Sequence, residues 1–135
     1  MTLDEALFSY LTGLPALGAL IGSRLYQDLM KQNEQLPAIV YSLDEDRSLE
    51  TQQGPSLLRE TLYRFDVYGT TANSVTDVGN ALRQAIDGYH GAMADIGYLA
   101  ILYEGCGRTR DPDTLAFNVS MKFRIFYAEA ASSPA

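Results

Sequence analysis

Between Leu115 and Tyr127 every odd-numbered residue is apolar (Leu115, Phe117, Val119, Met121, Phe123, Ile125, Tyr127), and the residues between them read Ala, Asn, Ser, Lys, Arg and Phe. A period of two marks a strand with one buried face. At about 3.3 Å per residue this strand spans roughly 40 Å, about twice the usual length. A beam of that length predicts a sheet that crosses the whole domain, and it carries nothing that resembles a reaction centre.

The rest of the chain reads as elements that pack against such a beam. Thr2 and Glu5 match a capping box, and Leu3, Ala6, Leu7, Tyr10 and Leu11 recur at helical spacing, which predicts a helix over 3–12. Pro15 then suits a first helical turn, and Ala16 to Ile21 makes a short second helix that Gly22 stops. Tyr26 to Gln35 is polar and aperiodic and is expected to be a loop. Leu36 to Leu43 (LPAIVYSL) is a strand, tolerating its proline only near the start. Asp44 to Ser56 is expected to be a loop, too long for a tight hairpin. Leu57 to Gly69 alternates again, with Thr61, Tyr63, Phe65 and Val67 on one side and Glu60, Leu62, Arg64, Asp66 and Tyr68 on the other.

Thr70 and Thr71 are helix-capping types, and Val75, Val78, Leu82, Ile86 and Tyr89 form one stripe of a helix over 72–87 that Gly88 ends. Ile96 to Glu104 is a further strand, Gly105 to Asp113 a turn-rich loop, and the 115–127 beam the last strand. Two directly successive strand pairs flanking a helix predict an α+β fold. Its form is a mainly antiparallel four-stranded sheet with helices packed on one face, a two-layer sandwich. The expectation is a single domain over 1–128 and a disordered tail over 129–135, where small and polar residues cannot offset the entropy of ordering.

Composition narrows the function. A chain of 135 residues, 47% hydrophobic and 20% charged, can bury a core without metal or disulfide help. Its apolar runs are too short for a membrane span, and the start MTLDEALF lacks the basic and apolar pattern of a secretory signal, so a cytoplasmic location before assembly is expected. The formal charge of −7 repels nucleic acid, and the eight Arg and two Lys (Lys31, Lys122) form no basic stripe. Cys106 is the only cysteine, so one chain holds neither an internal disulfide nor a cysteine-based metal cluster.

No residue set satisfies the requirements of a catalytic site. His90 is the only histidine and the natural general base, yet it stands in GYHG beyond a helix stop, where an exposed loop histidine is expected. Cys106 lies between glycines with Arg108 and Arg110 nearby, which would favour a thiolate, but no second cysteine or histidine shares its segment. The acidic group Asp44, Glu45, Asp46 and Glu50 has consecutive carboxylates that point to alternate sides of an extended chain, which suits a solvated loop better than a cation site. GCGRTR lacks the lysine and the strand-to-helix context of a phosphate loop. No cofactor is expected. Nine tyrosines, with Tyr63, Tyr68, Tyr103 and Tyr127 on or at the ends of strands and Leu62 and Phe126 on the notionally polar faces, suit either sheet packing or a subunit contact.

The ordered segments LPAIVY (36–41), GPSLLRETLYRFDVYGTT (54–71), ALRQAIDGYHG (81–91) and RDPDTLAFNVSMKFRIFY (110–127), with TLDEALFSYL and GSRLYQ before them, resemble the tail-completion proteins of long-tailed bacteriophages and prophages. These are also described as tail terminator or tail-to-head joining proteins. The resemblance implies a virion protein that forms a ring, usually hexameric, on the end of the tail tube, stops tube growth and offers a surface to the head connector. Six copies would carry a formal charge of about −42 around the passage of the genome, a wall to which DNA does not adhere.

Long loops in a compact domain tend to carry function, so Asp44, Glu45, Asp46, Arg47, Glu50, Gln52, Gln53, Arg108, Arg110 and Asp111 are the expected contacts with other copies, the tube protein and the connector. Deleting residues 47–54 is expected to leave a folded monomer that no longer assembles. Two alternatives stand beside this reading. One is a head-closure adaptor that binds the portal side. The other is a ligand-binding or enzymatic α+β domain with a pocket formed by the His90 and Cys106 loops.

Overall fold

Local chemistry starts each helix. The Glu5 amide donates to Thr2 Oγ1 at 3.2 Å and the Thr2 amide to Glu5 Oε1 at 3.5 Å, which opens α1 (Leu3–Thr12). Pro15 occupies the first turn of α2 (Pro15–Ile21), where its missing N–H costs nothing. Thr71 Oγ1 accepts from the Ser74 amide at 3.1 Å to begin α3 (Ala72–Ile86). The computed structural model describes residues 2–28, 36–51, 54–93, 96–110 and 117–128.

Six strands, in chain order, are β1 (Leu25–Gln27), β2 (Ala38–Thr51), β3 (Gly54–Gly69), β4 (His90–Met93), β5 (Ile96–Arg110) and β6 (Phe117–Ala128). They form one curled, mixed sheet in the order β1-β2-β3-β6-β5-β4. β1 runs parallel to β2, and the remaining pairs are antiparallel. The expected four-stranded antiparallel two-layer sandwich is therefore corrected to a six-stranded mixed sheet. The two added strands are the outermost ones and have three and four residues, too short to show a period. β1 overlaps the start of the stretch expected to be a loop over Tyr26–Gln35, and hydrogen bonding to the β2 edge makes it a strand: the Ile39 amide donates to Arg24 O at 3.0 Å and the Asp28 amide to Tyr41 O at 2.8 Å.

The two loops expected at 44–56 and 105–113 are largely strand as well. β2 continues to Thr51 and β3 begins at Gly54, so the charged stretch is a long hairpin arm. β5 continues to Arg110. The expected tail over 129–135 lies outside the described residues.

α3 packs over the two central strands β3 and β6. Its Val75, Val78, Leu82 and Ile86 join Leu7 and Leu11 of α1, Leu17 and Ile21 of α2, and the odd-numbered Phe65, Val67, Phe123 and Ile125 in one core. Each such side chain contributes about 1.5–3 kcal/mol by leaving water. Phe65 and Phe123 meet edge to face with ring centroids 5.5 Å apart, which ties the central strands beneath α3. At the turn from β3 into α3 a Cβ on Gly69 would come within 2.8 Å of Val75 Cγ1, so the close approach of strand and helix requires glycine there.

Candidate assembly interface

Past the core, β2 and β3 continue as an arm whose geometry is set by a bulge at Asp44. Leu43 is opposite Tyr63, but the next paired residue, Glu45, is opposite Leu62. One extra residue in β2 exchanges its faces. Leu43 shares the helix-covered face with Tyr63, whereas Glu45 and Arg47 share the open face with Leu62 and Glu60.

On that open face the charges bind one another. Glu60, 6% exposed, accepts from Arg47 Nε at 2.8 Å and from an Arg124 guanidinium nitrogen at 2.6 Å. Arg124 also bonds Glu104 and lies 4.0 Å from Glu45. Hydrogen bonding from Arg47, and then from Arg124, holds the Glu60 carboxyl below the usual glutamate range against the opposing effect of burial. The Glu104 hydrogen bond, followed by that of Glu60, holds Arg124 above its ordinary value. Arg64 lies 3.1 Å from Asp66 and 3.8 Å from Asp44, while on the opposite face, beside Thr61, Arg59 donates to Asp46 at 3.0 Å. The network joins β2, β3, β6 and β5 across the sheet.

Of the residues expected at contacts, Asp44, Glu45, Asp46 and Arg47 thus lie together on the arm, engaged within the chain. Glu50 sits opposite Pro55 near the arm tip. Arg108 and Arg110 are far from the arm, opposite Val119 and Phe117 on β5. Gln52, Gln53 and Asp111 lie outside the described residues. Glu60 and Arg124 escaped the reading of the sequence. Their signal was parity, since each sits among the polar alternates of its strand, but pairing them requires knowing that β3 lies beside β6.

His90 and Cys106 do not share a site. His90 starts β4 opposite Ala100, and Cys106 is exposed on β5 opposite Met121. Six residues of strand put them roughly 20 Å apart. The Tyr103 hydroxyl is pushed up to about 12, first by a hydrogen bond with Cys106 and then by burial. Among the described residues no three His, Cys, Asp or Glu side chains gather as metal ligands, and no helix is long and apolar enough to cross a membrane.

An open groove of 430 Å³ lies beside β1, lined by Asp4, Glu5, Phe8, Gln27 and Tyr41. Asp4 fastens α1 to the sheet there, accepting from the Tyr63 hydroxyl at 2.6 Å and, through its carbonyl, from the Tyr41 hydroxyl at 3.4 Å. Burial and then Asp4 push Tyr63 up, and burial, Asp4 and Asp28 push Tyr41 up to about 12. Both hydroxyls stay protonated and serve as donors, while Phe8 is 42% exposed in the groove wall.

Among the described residues, then, charges neutralise one another along the long strands of the arm and the central sheet. The family model described as Tail completion protein gp17 matches residues 5–128, and the chain belongs to that family. It is a structural protein of the bacteriophage tail and a virion component. Among solved structures it is similar to a chain of the virion of a native gene transfer agent particle, with 14% identity and a TM-score of 0.75, covering 94% of this chain and 95% of that one. That likeness shows a shared fold. No curated protein matches the sequence.

Proposed function

We propose that copies of this chain close the head-proximal end of the tail tube as a ring, stop tube elongation and present the surface to which the head connector joins. Family membership over residues 5–128 carries this reading. The sheet supports it: β1 covers β2 only at Ile39–Tyr41, so among the described residues Ser42–Thr51 has no strand on its outer side. An uncovered edge of that length invites aggregation in a free monomer, and closure with neighbours removes it. The ring is hexameric, with the tube protein and the connector as its partners. Subunits reside in the host cytoplasm before assembly and at the head-proximal tail end afterwards. The chain performs no bond-making.

Light scattering after size-exclusion chromatography, with and without purified tail tubes, tests the reading. Rings that appear alone or on tubes, and tubes that stop lengthening when the chain is added, are the expected result. Binding to the portal side with no affinity for tubes would place the protein in head closure instead.

A further inference from the structure

The outline of the sheet is stepped, and the two steps match. On one side, among the described residues, β1 covers Ile39–Tyr41 of β2 and no strand lies outside Ser42–Thr51. On the other side β4 pairs with β5 only between Ile96 and Ala100. The turn after α3 then covers the next part of β5, with Gly88 N donating to Ile101 O, Ile101 N to Tyr89 O, and Tyr103 N to Asp87 Oδ1. From Glu104 to Arg110, among the described residues, β5 has no strand outside it. The sheet therefore projects at one end on one side and at the other end on the opposite side.

Registers place these steps at the same heights. One row runs Gln27, Tyr41, Phe65, Met121, Cys106, and another runs Leu25, Ile39, Val67, Val119, Arg108. The projecting β1 is thus level with the uncovered Cys106–Arg108 stretch. In the same way, His90 of the projecting β4 is level with Ala100, Phe126, Glu60 and Arg47, the uncovered part of β2. Two copies set side by side without offset along the strands fill each other's steps. β1 runs opposite to β5, so the new contact is an antiparallel pair.

Charge selects the same arrangement. Beside β1 lies the groove with Asp4 and Glu5, and Asp28 follows the strand, whereas the facing stretch of β5 carries Arg108 and Arg110 in its sequence. We infer that copies of this chain join head to tail, the β1 edge and its acidic groove in one copy taking the Cys106–Arg110 edge of the next. This inference rests on the ring reading and specifies its contact. Two different surfaces meet at such a junction, so repetition extends the assembly copy by copy, as a ring requires, and does not stop at a two-fold dimer.

The native thiol supplies the test. In the full chain carrying Gln27→Cys, mild oxidation during assembly on tail tubes should give a ladder of covalent multimers on non-reducing gels, since paired residues on adjacent strands come within disulfide reach. The ladder should vanish when Cys106→Ser is added, and Asn80→Cys, exposed on α3, should give none. Arg108→Glu with Arg110→Glu should lower ring formation by about tenfold while far-UV circular dichroism is unchanged. Rings that form without a position-27 ladder, or a ladder that survives Cys106→Ser, would overturn the β1-to-β5 contact and leave the ring standing. Absence of any self-association, with tubes or without, would overturn both.

Discussion

The two faces of β3 and β6 are built from alternate residues of the same strands, yet they do different work. The helix-covered face holds Phe65, Val67, Phe123 and Ile125, all fully buried against α3 and its neighbours. The open face holds Glu60, Arg64, Asp66 and Arg124, tied to one another and to the arm of β2. Burial of hydrocarbon is non-directional and stabilises any arrangement that excludes water, whereas ion pairs favour one register. The apolar face supplies stability, and the charged face fixes where the arm lies.

Substitutions on each face test that division. Phe123→Ala removes a fully buried ring from beneath α3 and is expected to cost about 3–5 kcal/mol of unfolding free energy in denaturant titrations. A loss of under about 1 kcal/mol would show that the helix layer is not the main source of stability. Glu60→Gln should give a smaller loss with a distinctive pH dependence. Its two arginines hold the folded carboxyl below the ordinary 4.5, so the contribution is complete above that pH and fades as pH falls through the lowered folded value. The gap between wild type and Glu60→Gln should narrow on acidification below pH 4.5, and a gap that widens would refute the assignment. Asp46→Ala, which removes one partner of Arg59 at the partly exposed root of the arm, should change stability by less than about 1 kcal/mol. A larger effect would mean that the arm is part of the folding unit rather than an extension of it.

The deletion of residues 47–54 now has a structural meaning. It removes Arg47 from Glu60 together with the arm tip, so a loss of assembly after this deletion reports on the arm as a whole and not on a surface loop.

The sequence alone determined the helices, through capping chemistry at Thr2 and Thr71 and apolar spacing along α3, and it determined which residues of β3 and β6 face the core, because alternation is a local property of an extended chain. It also carried the family, through ordered segments spanning nearly the whole chain. The tertiary structure decided what depends on a neighbour. β1 and β4 are strands only because longer strands offer them hydrogen bonds, and the charged stretch after Leu43 is extended because Arg59, Glu60 and Arg124 stand across from it. Pairing is non-local, so the strand order, the bulge at Asp44 and the stepped edges emerge only when residues distant in the chain are brought side by side.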